Sequence, residues 1–465
     1  MSDYDVIVIG AGPGGYVCAI KASQLGLKTA VVEKEWLGGV CLNIGCIPSK
    51  ALLKNAELAH TLRERSTEFG ISFENLHLDY GAAVKRSRQV SDRLTRGVAF
   101  LMKKNQIDVF MGNARLAGKN EVTITSADGQ VQNLKTKNIV IATGAHTFLP
   151  VNWVVDGKRI LSYREAILQT DLPKTAVIIG AGAIGVEFAT VWSAYGVQVS
   201  LVEMLPNVLP LEDGEVSIEL GKAFTKRGIK LYTGHKVESL TAIDKGVVVK
   251  VSNESGQTTI EAEQALVAIG FLPNTANLGF EETGILLNSK GFIEINEKMA
   301  TNVTGVWAIG DVTGKLLLAH VASAQGIICA ETMAGKESRT LNYQNMPRAT
   351  YCQPQVASFG MTENQAKDAG HELKISKFPF QANGKAVGLG ETTGFAKIIT
   401  DAKYGEILGA HLIGPEVSEL LPELTLAQQM ELTAEQIANN VHAHPTLSEV
   451  LMEAAEGIDN KPIQI

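Results

Sequence analysis

The chain of 465 residues has no long apolar run: none reaches the roughly 18 residues that span a bilayer. The first apolar stretch begins about five residues from the start, which leaves no room for a signal peptide, so the expectation is a cytoplasmic protein with no membrane contact. Cysteine is scarce at five residues, a cytosolic usage in which a disulfide is more often catalytic than structural. Basic tracts are missing as well. Lys and Arg total 42 against 49 Asp and Glu, a net charge of −7, and the pI is about 5.8, so a nucleic-acid backbone is a poor partner. The adjacent pair Lys103 and Lys104 sits among apolar residues like ordinary helix surface. With 45% hydrophobic and 20% charged residues and no low-complexity linker, a disordered or collagen-like chain is excluded. At about 150 residues per domain the length predicts roughly three domains.

What is present begins with an internal repeat. "DVIVIGAGPGGYVCAI" is a β-branched run followed by GxGxxG, the pattern of a buried strand turning tightly into a helix, and "TAVVEK" then reads as a second strand ending at Glu33. Gly10, Gly12, Gly15, Ala19, Gly26 and Glu33 recur 170 residues later as Gly180, Gly182, Gly185, Ala189, Gly196 and Glu203. The glycines allow a tight turn, close approach of backbone N–H groups to a pyrophosphate, and close helix–strand packing. The helix N-terminus adds partial positive charge. The acid at the second strand's end accepts from ribose hydroxyls and repels a 2′-phosphate. One such motif also fits a Gly-rich turn that binds nothing; a matched pair implies two dinucleotide sites. No Arg or Lys follows Glu203 in "MLPNVLP", which favours NAD over NADP there, and Glu33 suits the adenosine ribose of a flavin dinucleotide.

Punctuation sets the boundaries. "IVIATGAHTFLP" closes a first domain, residues 1–150, and "ALVAIGFLPN" closes a second, 151–274. In "TGVWAIGDVTG", Asp311 follows a strand, where a carboxylate reaches a polyol chain or marks a surface turn; this segment belongs to a central region, 275–346. From 347 to 465 the strand-like "ATYCQPQVASFG", "FAKIIT" and "ILGAHLIG" precede helical patterns. The expected fold class is α/β, two Rossmann-like dinucleotide-binding domains plus a C-terminal α+β domain.

"GGVCLNIGCIPSK" places Cys41 and Cys46 five apart. In a regular helix that spacing rises about 7.5 Å, beyond the roughly 6.8 Å Cα limit of a disulfide, so a bridge needs the distorted turn that Gly45 permits. Strain would make the bond easy to reduce, as an exchanging disulfide requires. Two unrelated buried thiols remain the alternative. Cys18, Cys329 and Cys352 lie in apolar stretches and read as core. Thiol exchange needs a base. "VHAHPTLSEV" offers His444, in a turn before Pro445, and Glu449 at the start of an apolar-periodic helix; a carboxylate on one ring nitrogen leaves the other for a thiol. A capping box at Ser448 or a structural histidine is the competing reading. A metal at His442 and His444 lacks further ligands, so none is expected.

Across about Asp5 to Gly457 the chain resembles the flavin-dependent disulfide reductases of the pyridine nucleotide class. "GGVCLNIGCIPSKALL", "TGVWAIGDV", "LLPELTLA" and "HAHPTLSE" carry the resemblance. It implies an FAD domain, an NAD domain, a central domain and a C-terminal interface (dimerisation) domain in a homodimer, with His444 and Glu449 serving the cysteines of the other subunit. By the same likeness Cys41 is the interchange thiol, Cys46 faces the flavin, and Lys50 pairs with Glu187 near it. Glu33, Gly144, Asp311 and Ala319 would line the FAD, and Gly180, Gly182, Gly185, Glu203 and Gly270 the NAD. A dithiol substrate on a lipoyl arm is implied, with lipoyl domains of 2-oxo acid dehydrogenase complexes or the glycine cleavage H protein as partners.

Many relatives carry Arg after the glycine matching Gly270, whereas this chain has Phe271 and Leu272, which puts the nicotinamide-end contacts in question; Val40 and Ile44 are conservative choices. A glutathione reductase-like enzyme would prefer NADPH, a mercuric reductase-like one would end in a cysteine pair instead of "NKPIQI", and a flavin-holding scaffold would not need Cys41, Cys46, His444 and Glu449 intact.

Overall fold

The run Tyr4–Ile9 (β1) is buried along almost its whole length, as a strand flanked on both sides by parallel neighbours is. The computed structural model describes residues 2–459 and 462–465. The chain folds into two compact units, each discontinuous in sequence: Met1–Ala51, Gly81–Phe148 and Gly270–Tyr343 form the first, and Leu52–Tyr80, Leu149–Ile269 and Gln344–Ile465 the second.

In the first unit β1 turns through the glycine loop into α1 (Pro13–Gln24), then β2 (Thr29–Glu33). After α2 (Gly39–Asn43), α3 (Cys46–Glu64, assigned to the second unit from Leu52 on) and α4 (Tyr80–Lys104), β3 (Asp108–Met111) joins β2. The antiparallel β4 (Asn113–Gly118), β5 (Glu121–Thr125) and β6 (Val131–Ile141) complete the order β3-β2-β1-β6-β5-β4, with β6 parallel to β1. Successive residues of a strand point to opposite faces, so β1 feeds two cores. Ile7 and Ile9 pack with Ile139, Ile141, Leu116 and Val122, and Val6 and Val8 pack with Cys18, Ala22, Met102 and Cys329. Past β7 (Ala145–Thr147) the chain leaves this unit and returns later.

The second unit repeats the pattern. It uses β8 (Ile160–Leu161), α5 (Tyr163–Ala166), β9 (Thr175–Ile179), α6 (Ala183–Ala194), β10 (Gln198–Val202), α7 (Gly214–Lys226) and β11 (Lys230–Tyr232). A meander of β12 (Lys236–Ile243), β13 (Gly246–Asn253) and β14 (Gly256–Ala262) leads to β15 (Gln264–Val267), which closes the parallel order β11-β10-β9-β15-β8. Back in the first unit, β16 (Phe271–Pro273) pairs antiparallel with β7, α8 (Phe280–Thr283) follows, β17 (Val306–Ala308) adds in parallel beside β6, and α9 (Ala319–Met333) lies against α1.

The C-terminal part of the second unit is an antiparallel sheet. Its strands are β18 (Arg348–Thr350), β19 (Gln355–Gly360), β20 (Leu373–Pro379), β21 (Phe395–Asp401) and β22 (Ile407–Gly414), in the order β18-β19-β22-β21-β20, with α10 (Glu363–Asp368) and α11 (Gly384–Leu389) between strands. Phe359, Phe378, Ile398 and Leu412 meet Leu421, Leu424, Val450 and Leu451 of α12 (Val417–Gln429) and α14 (Glu449–Glu456); α13 (Ala434–Ala438) packs beside them. The fold is therefore one mixed and one parallel dinucleotide-type sheet and an α+β C-terminal part. Among the described residues no helix is long and apolar enough to cross a membrane.

Candidate active site

The 170-residue offset is reproduced atom for atom. Gly10 and Gly180 both have φ +102°, and their N–H groups donate at 2.8 Å to Val32 O and Val202 O respectively. A Cβ on Gly15 would lie 1.9 Å from Gly10 O, and one on Gly185 1.9 Å from Gly180 O, so helix can follow strand this closely only without side chains. A Cβ on Gly12 or Gly182 would instead meet nothing within 4 Å: these residues cap α1 and α6 with open space before the helix N-terminus, a cradle that fits a pyrophosphate.

The two acids also match. Glu33 is buried, and its oxygens accept from Ala11 N–H at 2.7 Å and Glu35 N–H at 2.8 Å; Glu203 accepts from Ala181 N–H at 2.8 Å and Leu205 N–H at 2.9 Å. Each carboxylate is thus tied to its own glycine loop and keeps lone pairs for ribose hydroxyls.

The cysteine pair sits directly on the first loop. Gly38 N–H donates to Ala11 O at 2.8 Å, and a Cβ on Gly39 would come 2.7 Å from Gly12 Cα. Gly38 and Gly39 take φ of +85° and +58°, which only glycine does cheaply. The distorted turn expected between the cysteines is there: α2 ends at Asn43, Ile44 takes φ −140°, and α3 restarts at Cys46. Gly45 contributes by proximity and not by a left-handed conformation, since a Cβ there would lie 3.0 Å from Val40 O. The two sulfurs are not joined in a disulfide; Cys41 is half-buried and Cys46 exposed. The Cys41 thiol is pushed far up, first by its hydrogen bond to Cys46 and then by burial, while the Lys50 charge pulls the other way. Lys50 stands one turn beyond Cys46 in α3, its Nζ 3.4 Å from Ser49 Oγ. Glu187, buried in α6, accepts from Tyr351 N–H at 3.0 Å.

Asp311 stands in a short helical turn, Gly310–Thr313, three residues after β17. Burial pushes its carboxyl up to about 6. Ala319 opens α9, and Gly144 and Gly270 have φ of +71° and +127°. Phe271 and Leu272, where relatives carry an arginine, pair through the backbone with Thr147 and His146. Cys18, Cys329 and Cys352 are buried, and Cys18 and Cys329 hydrogen-bond to each other.

His444 Nδ1 lies 2.9 Å from Glu449 Oε1, and Glu449 Oε2 takes Thr446 N–H at 2.7 Å. A carboxylate only accepts, so Nδ1 carries the proton and Nε2 is left outward on a side chain 77% exposed. Ser448 makes no cap bond to α14; its hydroxyl pairs with Thr446 Oγ1 at 2.9 Å, which removes the capping-box alternative. His442 turns away to Glu423 at 3.1 Å and to Asn440 O at 2.7 Å, and no group of three His, Cys, Asp or Glu among the described residues could hold a metal.

The sequence reading missed a buried ion cluster. Lys397, 1% exposed, reaches Asp213 at 3.0 Å, Glu215 at 2.9 Å and Glu363 at 2.6 Å. The available signal was a lone lysine inside the apolar strand "FAKIIT" and the acidic run Glu212, Asp213, Glu215.

Comparison with known proteins agrees with this geometry. A pyridine nucleotide-disulphide oxidoreductase profile matches residues 4–326, and the dimerisation domain of the same family matches 346–455. A dihydrolipoyl dehydrogenase of Mycobacterium leprae is 52% identical over 462 residues, 98% of each chain, and one of Corynebacterium glutamicum is 50% identical over 99% of each. Among solved structures, LpdA of Mycobacterium tuberculosis superposes with a TM-score of 0.90 at 27% identity, covering 97% of this chain and 99% of that one. The HOCl-induced flavoprotein disulfide reductase RclA of Escherichia coli gives 0.86 at 26% identity, covering 97% and 99%. Two matched glycine loops, a dithiol seated on the first and full-length relatives at half identity lead to one conclusion: the chain belongs to the pyridine nucleotide-disulphide oxidoreductases.

Proposed function

We propose that this chain is a dihydrolipoyl dehydrogenase, oxidising protein-bound dihydrolipoamide to lipoamide and reducing NAD+ to NADH. The observation that carries the reading is the dithiol held on the dinucleotide loop, Gly38 N–H to Ala11 O at 2.8 Å, which puts thiol exchange beside a nucleotide cofactor. FAD is held by the Gly10–Gly15 loop, Glu33, Gly144, Asp311 and Ala319, with Lys50 close by. NAD+ is held by the Gly180–Gly185 loop, Glu203 and Gly270. Bound, the two cofactors supply a two-electron path from thiols to a hydride acceptor.

The protein's own residues do the sulfur chemistry. His444 Nε2 takes the proton of one substrate thiol, and the thiolate attacks Cys41 Sγ of the oxidised pair, expelling Cys46 as thiolate. The second substrate thiol, deprotonated in turn, attacks the substrate sulfur of the mixed disulfide; lipoamide leaves and Cys41 departs as thiolate to be protonated. Glu449 fixes the imidazole's tautomer, and the Lys50 charge favours thiolate at the pair.

The reading extends to the assembly: domains at 1–150 (FAD), 151–274 (NAD), 275–346 (central) and 347–465 (interface), in a cytoplasmic homodimer where each His444 serves the partner subunit's dithiol. Lipoyl domains of 2-oxo acid dehydrogenase complexes, or the glycine cleavage H protein, deliver the substrate.

The test is a steady-state assay with dihydrolipoamide or glutathione, each with NAD+ and NADP+, joined to stopped-flow absorbance of the bound flavin. Turnover is expected with dihydrolipoamide and NAD+. A flavin that stays oxidised with the dithiol yet bleaches with NADH overturns the assignment.

A further inference from the structure

One row of side chains crosses the whole C-terminal sheet. Arg348 on β18 stands opposite Ser358 on β19, Ser358 opposite His411 on β22, His411 opposite Lys397 on β21, and Lys397 opposite Lys377 on β20. Residues directly opposite one another share a face, so five strands present one polar rung. Its three inner members are fully buried: Ser358 at 0%, His411 at 0% and Lys397 at 1% exposure.

The rung meets a run of acids, Glu212, Asp213 and Glu215. Glu212 accepts from Ser358 Oγ at 2.5 Å and lies 3.6 Å from Arg348. Lys397 reaches Asp213 and Glu215, and Lys377 pairs with Glu215. Glu363 of α10 closes the cluster, its carboxylate on Lys397 and its N–H on Asp213 Oδ2 at 3.2 Å. His411 donates Nε2–H to Met361 O at 2.9 Å, and burial lowers its pKa.

A buried ion cluster is a poor device for stability, because an apolar isostere generally serves as well; its attested use is to fix registry. The registered element here is the loop 204–213 that follows Glu203. Leu209 N–H donates to Ala181 O of the glycine loop at 2.8 Å, Leu209 O accepts from Ser217 Oγ at 2.9 Å, and Leu209 is held at φ +44°, unusual for leucine. The loop thus runs from Glu203, past the second glycine loop, to Asp213, the cap of α7, where the sheet grips it.

We propose that Lys397, with its rung, is a positioning residue for NAD+: the C-terminal sheet sets the loop 204–213 against the adenosine end of the second dinucleotide site. This rests on the NAD+ assignment above.

The test compares the FAD-loaded wild type with Lys397→Met and Asp213→Asn, measuring KM for NAD+ and for dihydrolipoamide, kcat, and the stopped-flow rate of flavin reduction by dihydrolipoamide. Lys397→Met is expected to raise KM for NAD+ by roughly tenfold, the scale of remote positioning effects, while flavin reduction by the dithiol keeps its rate. Asp213→Asn keeps a competent cap and acceptor and removes one charge, so a smaller rise is expected; it decides the matter if Lys397→Met does not fold. An unchanged KM for NAD+, or parallel losses in both half-reactions, overturns the inference. A wild type indifferent to NAD+ overturns the functional reading and this inference with it, before any variant is made.

Discussion

Glu449 grips His444 from one side and its own chain from the other: Oε1 meets the ring at 2.9 Å and Oε2 the Thr446 N–H at 2.7 Å. Burial works to raise the Glu449 carboxyl, but the Thr446 N–H and the histidine outweigh it and hold the group below its ordinary value. The carboxylate therefore stays ionised wherever the imidazole works, and the imidazole keeps one orientation.

His444→Gln should slow flavin reduction by dihydrolipoamide by about 10²- to 10⁴-fold, the usual worth of a general base, and leave NADH-driven flavin reduction nearly unchanged. Stopped-flow traces with each reductant separate the two. Equal losses would contradict the role.

Replacing Cys46 by Ser should abolish lipoamide reduction while the purified protein stays yellow. Cys46 is exposed and lies outside both cores, so nothing in the packing demands sulfur there. A colourless variant would give the residue a structural role instead.

Two glycines of one motif should fail differently. Gly185→Ala drives a methyl against Gly180 O and should lower the melting temperature through about 1–3 kcal/mol of overpacking. Gly182→Ala points into open space and costs only the poorer cap, so its melting temperature should fall less than that of Gly185→Ala while KM for NAD+ rises. Thermal melts and NAD+ titrations of both variants check the pair.

Asp311 makes a prediction about acid. Its folded pKa of about 6 lies above the ordinary 3.8, so an ionised Asp311 costs the flavin-free protein stability above that range, and the cost fades as pH falls from about 6 towards 4. Flavin-free Asp311→Asn should therefore melt above wild type at pH 7.5, with the gap narrowing on acidification, and should hold FAD more weakly. A gap independent of pH would refute this.

The ion cluster has the opposite sign on its acidic side. Burial works to raise Asp213 and Glu215, yet His411 and Lys397 hold Asp213, and Lys377 and Lys397 hold Glu215, below their ordinary values; Glu363 is lowered first by Lys367 and Lys397. Their contribution is present above about pH 4.5 and lost as pH falls through the lowered folded values. Lys397 is raised overall against its burial, so its share persists until strongly alkaline pH. Melting temperature between pH 3 and 5 should fall more steeply in wild type than in Lys397→Met.

Much of the site was legible in one dimension because its physics is local. A tight turn into a helix needs Gly10, Gly12 and Gly15 at those spacings whatever surrounds them, and the same demand wrote Gly180, Gly182 and Gly185. Cys41 and Cys46 are close in sequence, as are His444 and Glu449, so their pairings are set by a turn or two of backbone. Gly45 shows the margin: the turn was foreseeable, whereas the reason for glycine there, the Val40 carbonyl, depends on the fold made.

The composition, the repeated glycine motif and the local pairing of Glu449 with His444 were determined by the amino-acid order itself. The rung from Arg348 to Lys377, and the acids it grips at 212–215, were decided by tertiary structure, because a lysine in an apolar strand carries no mark of its partner. Strand register brings residues far apart along the chain onto one face, and burial of that face then makes their charges matter.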